Sequence, residues 1–290
     1  MTDSAANLAV PRRRNRRRKV SFGDLLILLV LWVGALTMLV PFAWMVSTSL
    51  KPLEDVFKWP PLLMSSHPLW SNYRDIFDAV PLGRFFLNTA LVSLARTAGV
   101  LATSALAGYV FSRMYFPGRD LIFLLYLGTM MVPDQVTLIP SFVIIRELHW
   151  LDTYQALIVP AIFSPFGVFL MRQFFLTIPR DLMEAAKLDG ANHWHILWGI
   201  MIPLSTASLV TLGLFTLMGA WNDFLWPLIV INSPDKQMLS VGLSYFQDLY
   251  FTNWPLLMAA SVLAMLPILI IYFLAQRFFV EGIAVTGLKG

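Results

Sequence analysis

The chain has 290 residues, of which 58% are hydrophobic and 13% charged, with a net charge of +4 and no cysteine. Soluble domains are nearer 45–50% apolar and about 25% charged, so a soluble globular domain is excluded for want of polar surface, which leaves a membrane protein with several spans. The missing cysteines exclude disulfides and thiolate metal sites.

The chain opens on a basic tail, residues 1–24, in which seven of the eight residues from Arg12 to Lys19 are Arg or Lys. Such a block suits nucleic acid or a membrane surface. The apolar run from Leu25 to Val46 that follows decides for the membrane, so no nucleic-acid partner is expected. That run is too long for the core of a signal peptide, about 7–15 residues, and has no convincing cleavage signal. It reads as a retained span behind a cytoplasmic anchor.

About 20 mainly apolar residues cross a bilayer as a helix. Six stretches qualify within a domain covering 25–290: about 25–46, 85–110, 121–145, 154–176, 201–225 and 256–278. The fold class expected is an all-α membrane protein with six transmembrane helices. Pro133, Pro140, Pro160 and Pro165 interrupt the third and fourth, which predicts bent helices lining something. Arg96 sits near the middle of span two, Asp134 and Gln135 follow a proline in span three, and Asn222 and Asp223 end span five. A charge at mid-bilayer costs about 2.5–3.5 kcal/mol on insertion scales and faces a bundle interior or wet cavity. These five residues are therefore candidates for lining a solute path, with Asp134 and Asp223 as alternative partners for Arg96. The long segments 47–84 and 226–255 carry Trp59, Trp70, Tyr73, Phe77, Tyr245, Tyr250 and Trp254. They suit an interfacial belt or contact with an external partner, for which 226–255 is the candidate.

Orientation follows from the basic residues. With the N-terminus inside, the inner segments hold the tail, Arg113, Arg119, Arg172, Arg180, Lys187, Arg277 and Lys289. The longer outer segments hold Lys51, Lys58, Arg74, Arg84, Arg146 and Lys236. The bias places both termini in the cytoplasm.

Between spans four and five the chain turns polar, EAAKLDGANHWHILWGIMIP over 184–203. Pro179 suits a helix start, Asp181 and Glu184 suit its positive end, and Gly190 suits the position just past its close. Asn192 can cap a second short helix through Trp198. Leu182, Ala185 and Ala186 are expected on one face, where small side chains let another surface approach. The result is a helix–glycine–helix knuckle at the inner surface, too short to stand alone in water.

Here the sequence resembles a known family. Glu184-Ala185-Ala186, three residues, Gly190, nine residues, then Ile200-Met201-Ile202-Pro203 matches the EAA loop of permease subunits in binding-protein-dependent ABC importers, with Ile202 where leucine is usual. The fuller form over 184–191 is similar to the carbohydrate-uptake branch. MMVPDQVTLIP at 130–140, WNDFLWPLI at 221–229 and LAQRFFVEGIAVTGLKG at 274–290 resemble the smaller permease subunit of maltose-type importers. The resemblance implies a coupling helix that docks on a cytoplasmic ATPase through Glu184, Ala185, Ala186, Asp189 and Gly190. It also implies a second, non-identical permease, two ATP-binding subunits and an extracytoplasmic solute-binding protein, in a bacterial or archaeal plasma membrane. The tail 287–290 is expected to reach the ATPase pair.

The chain lacks a G-x-x-x-x-G-K-[ST] phosphate loop, so ATP and its magnesium are expected on the partner, with no cofactor here and no enzyme activity. His193 and His195 are two apart and share no helix face, which argues against a metal site. A lone secondary transporter would need ion-coupling charges in several spans, and few are present. A membrane enzyme would need His, Asp or Ser clustered at one depth, and no such cluster is seen.

Overall fold

The computed structural model describes residues 22–247 and 251–287, with backbone only for 277–287. The basic block Arg12–Lys19, Tyr250, Lys289, the tail at 288–290 and the side chain of Arg277 lie outside the described residues. Among those described, a bridge between Gln247 and Thr252 is the nearest thing to β-structure. Everything else regular is helical.

The chain divides into two units, the first ending at Trp44. Its described part is most of α1 (Phe22–Ser49), a helix apolar on all sides with Pro41 inside. From Phe22 to Phe42 its side chains are exposed, which suits lipid rather than water.

The second unit begins with the last turn of α1 and with two short helices, α2 (Leu53–Val56) and α3 (Asn72–Ala79). The long α4 (Leu82–Arg113) follows, at 32 residues about 48 Å of helix. Next come α5 (Arg119–Gly128) and α6 (Asp134–Glu147), then α7 (Tyr154–Ile158) and α8 (Pro165–Thr177). The knuckle consists of α9 (Arg180–Leu188) and α10 (His193–Ile196). After it run α11 (Ile202–Leu204), α12 (Thr206–Trp221), α13 (Leu225–Val230), α14 (Leu239–Ser244) and α15 (Trp254–Gly287).

Among the described residues, four stretches are long and apolar enough to span a membrane: Phe22–Ser49, Leu82–Arg113, Tyr154–Thr177 and Trp254–Gln276. Two bent pairs bring the number to six if each counts as one span. The third is bent, as its prolines predict, whereas the fifth, read from sequence as one clear span over 201–225, is broken. At Pro133, which has no N–H to continue a helix, α5 and α6 meet at 100°. Pro140, by contrast, stays inside α6. The segment His193–Leu204 meets α12 at 79°, beside Pro203 and the non-helical Ser205. Residues 201–225 are thus not one helix, because α12 ends at Trp221.

α4 is the organising element and packs along α8 and α12. In lipid, apolar surface has no solvent to escape, so close packing between helices carries the association. Small residues permit that closeness. A Cβ on Gly167 of α8 would lie 2.2 Å from Ser104 Oγ of α4, and one on Gly108 would lie 2.8 Å from Met171 Cβ. Three buried clusters fill the unit. One joins Tyr109, Met171, Phe175, Met183, Ile196 and Met201 beneath the knuckle. A second gathers Ile76, Phe85, Trp221 and Leu257, and a third Val92, Ile145, Leu157 and Val230.

Candidate functional site

The knuckle closes as its sequence requires. α9 starts directly after Pro179, which stands at the N-cap rather than inside the first turn. Its C-terminus is a Schellman motif: Ala191 N donates to Ala186 O at 2.9 Å, and Gly190 N donates to Lys187 O at 3.0 Å. The motif needs a left-handed residue after the cap, and Gly190 supplies it at φ +84°. Asn192 Oδ1 then accepts from His195 N at 2.9 Å and caps α10. A π-helical turn over Leu197–Met201 leads out of the knuckle.

Of the three residues expected on one face of α9, Leu182 and Ala185 stay exposed while Ala186 turns to the core. Met183 is buried in the same cluster. The outward face thus presents Asp181, Glu184, Ala185 and Leu188, the last 90% exposed. An exposed leucine stands beside the carboxylates of Asp181 and Glu184.

Two contacts from α4 hold the knuckle at both ends. Arg113 donates through Nη2 to the carbonyls of Phe175 and Ile178, at the end of α8 where the chain enters α9. One turn earlier, Tyr109 Oη is 2.8 Å from His193 Nδ1, at the start of α10. Tyr109 is itself buried, edge-on to Phe175 and to His193. Nearby, Arg172 Nε donates to Phe111 O, and its guanidinium lies 4.3 Å above the Phe123 ring. These contacts fasten the knuckle and its entry to α4. Neither Tyr109 nor Arg113 was singled out from sequence, since their partners lie 62 to 84 residues away.

Thirteen residues back along α4 from Tyr109, about 20 Å of helix, Arg96 lines a cavity of about 400 Å³. Of its two candidate partners the structure selects Asp223, with Arg96 Nη1 2.7 Å from Asp223 Oδ2. Asp134 and Gln135, in the first turn of α6, line the same cavity with Thr137, Ser141 and Trp226. The sharp break at Pro133 sets the start of α6 against this cavity. Asn222 is not part of the group: its side chain donates to Met218 O, and it lines a different recess. The Arg96 cavity combines an ion pair, a further carboxylate, an amide, two hydroxyls and an indole. Such a wall can hydrogen-bond a polyhydroxylated solute and stack on its apolar face.

At the other end of the unit, Asp152 fastens the loop after α13. It accepts from Asn232 N at 3.1 Å and Ser233 N at 2.9 Å, from the Ser233 hydroxyl, and from Lys236 Nζ at 3.3 Å. The Ser233 hydroxyl, with these other donors, holds the Asp152 carboxyl down at about 2. Asn88 Nδ2 and Arg84 Nε tie the same loop to α4 through the carbonyl of Asp235.

Comparison with known proteins follows the same lines. The family described as binding-protein-dependent transport system inner membrane component matches residues 79–285. The arabinooligosaccharides transport system permease protein AraQ of Bacillus subtilis (strain 168) is 35% identical over 263 residues, covering 88% of this chain and 92% of that one. The sn-glycerol-3-phosphate transport system permease protein UgpE of Pectobacterium atrosepticum is 34% identical, covering 93% and 97%. In fold, the chain is similar to one from the crystal structure of a bacterial ABC transporter involved in the import of the acidic polysaccharide alginate. That likeness has a TM-score of 0.81 at 24% identity and covers 90% of this chain and 98% of the other.

Proposed function

The chain belongs to the family of binding-protein-dependent transport system inner membrane components, a multi-pass permease subunit of an ABC importer, and from that premise we propose how its parts divide the work. The solute is a sugar or related polyhydroxylated compound. It passes along a path of which this chain forms half and a second, non-identical permease the other half. The knuckle is the coupling helix and docks on one of two cytoplasmic ATP-binding subunits, with Leu188 as the apolar contact, Glu184 and Asp189 as charged contacts, and Ala185 beside them. A solute-binding protein docks on the outer side, where the loop fastened by Asp152 is the contact surface. Both termini are cytoplasmic in a bacterial inner membrane.

The observation that carries this reading is the coupling geometry. One helix, α4, grips the knuckle through Tyr109 and Arg113 and carries Arg96 in the cavity wall. Closure of the ATPases would move the knuckle as a body and shift α4 against α12 and α13, where Asp223 answers Arg96. Coupling between distant sites needs such an element with two arrangements. Family relatives that transport arabinooligosaccharides and glycerol phosphate support a hydroxyl-rich solute.

The test is to tag the chain, extract it gently in detergent and identify what comes with it by mass spectrometry. A second permease and a subunit bearing a phosphate loop are expected. A chain that purifies alone, well folded and transporting in liposomes without ATP, would overturn the proposal.

A further inference from the structure

We infer that the foot of the knuckle holds a binding site for an anionic lipid phosphate, an inference that rests on reading the knuckle as cytoplasmic. Between the end of α4, the start of α5 and the side of α9 lies a cavity of about 220 Å³, which meets the outward face proposed for the ATPase at Glu184 and otherwise lies beside it. Arg113, Arg119, Arg180 and Lys187 line it, against the single carboxylate of Glu184.

Among the described residues three of these cations have no carboxylate partner. Arg119 is spent, with Nε and Nη2 on Asp120 at 3.0 and 3.2 Å and Nη1 on Met114 O at 3.2 Å. Arg113 is engaged only through Nη2, and its Nε is buried without a partner. Among the described residues the side chains of Arg180 and Lys187 make no hydrogen bond or ion pair, and the Glu184 carboxylate pairs with neither although both lie about one helical turn from it. Like charges gathered round one recess repel, and they lower their energy by taking up an anion.

The position selects the anion. Arg113 closes a membrane-spanning helix and Arg119 opens the next. Exposed Trp194 and Trp198 stand on α10 and the turn after it, as aromatic side chains do at headgroup depth. Basic pockets between spans at the cytoplasmic boundary take lipid phosphates. The volume admits a phosphodiester, and guanidinium groups match its oxygens in pairs. Bound there, a phosphate would tie α9 to α4 from the side on which Arg113 already holds its entry. It would thus stiffen the element that couples.

The complex with its ATPase is placed in nanodiscs of phosphatidylcholine containing a minor share of phosphatidylglycerol, and the lipid it keeps after extraction is measured by native mass spectrometry. Wild type should keep phosphatidylglycerol in preference to phosphatidylcholine. Each cation near an anionic headgroup is worth about fivefold, so Arg180→Gln with Lys187→Gln should lower the preference roughly thirtyfold. Arg180→Lys, which conserves charge, should keep most of it. If inorganic phosphate displaces the lipid from wild type but not from the double variant, the site is confirmed for phosphate chemistry and a free anion competes for it. Equal phosphatidylglycerol retention by wild type and double variant overturns the inference, as does a double variant that loses its ATPase and keeps its lipid. Labelling a cysteine at Leu188, in a chain that otherwise has none, separates the two layers. Reaction from outside the cell would overturn the cytoplasmic reading and the site with it, whereas reaction from inside together with unselective lipid would overturn the site alone.

Discussion

Gly190→Ala isolates one property of the knuckle. Gly190 sits at φ +84°, and a Cβ placed there meets no atom within 4 Å. The substitution therefore adds no clash, and its cost is the left-handed backbone alone, about 1–2 kcal/mol for an L-residue. α9 has nine residues and little stability of its own, so the free knuckle can relax by losing the Schellman turn. Docking must restore it, and the strain then appears in the binding equilibrium. The expected result is that purified ATPase binds the variant permease about five- to thirtyfold more weakly. Gly199 provides the matched control, since its Cβ would also meet open space but its φ lies outside the left-handed range. Gly199→Ala should bind as wild type does, and Gly190→Asn should fall between, because asparagine tolerates the left-handed region better. Titration of the two proteins by biolayer interferometry gives the numbers. Equal affinity for Gly190→Ala and Gly199→Ala would refute the argument that docking requires this turn.

Tyr109→Phe removes only the hydroxyl facing His193, a net loss of about 1 kcal/mol because water can replace it at an exposed imidazole. Folding should survive, while solute moved per ATP hydrolysed in proteoliposomes falls by up to about fivefold; an unchanged ratio would show that the bond transmits nothing. Asp223→Asn leaves Arg96 half-buried without its carboxylate, at a cost of about 1–3 kcal/mol, between surface and buried pairs. Thermal unfolding should show that loss, and adding Arg96→Gln should recover part of it, which a double-mutant cycle would read directly. Asp152 has a depressed pKa, so its contribution is complete above the ordinary carboxylate value near 3.8 and is lost as pH falls through about 2. Hydrogen-exchange protection at Asn232 and Ser233, whose amides donate to that carboxylate, should drop across this window and should drop at neutral pH in Asp152→Asn.

Much of this was legible in the sequence, and the rest was not, for definite reasons. The helices α1, α4 and α15 are long apolar stretches, and the membrane imposes them on length and composition alone. The knuckle was legible in detail because a Schellman glycine and an asparagine cap act on neighbours within five residues. The direction of α9 was not, because Met183 and Ala185 are both compatible with an inward face until Phe175 and Ile196 fill one side. Prolines announced bends without their size: Pro133 yields 100°, while Pro140 remains within a helix. The partner of Arg96 stayed open between Asp134 and Asp223 because both fall near its depth, and only the turn after α12 brings Asp223 within 2.7 Å. Asn222, adjacent in sequence, turns back onto Met218 instead. Tyr109, Arg113 and Asp152 gave no local signal, since each acts on a segment distant in the chain.

Everything proposed for the knuckle depends on the outward face of α9 being where a separate ATPase takes hold. The most direct measurement uses Leu188→Cys in this cysteine-free chain, with a short bifunctional crosslinker added to inside-out membrane vesicles. One crosslinked product is expected, containing this chain and a subunit with a phosphate loop, its yield changing when ATP is bound. If Leu188→Cys reacts with soluble maleimide yet forms no crosslink to an ATPase with or without ATP, that face is not the docking surface and the knuckle is not the coupling helix.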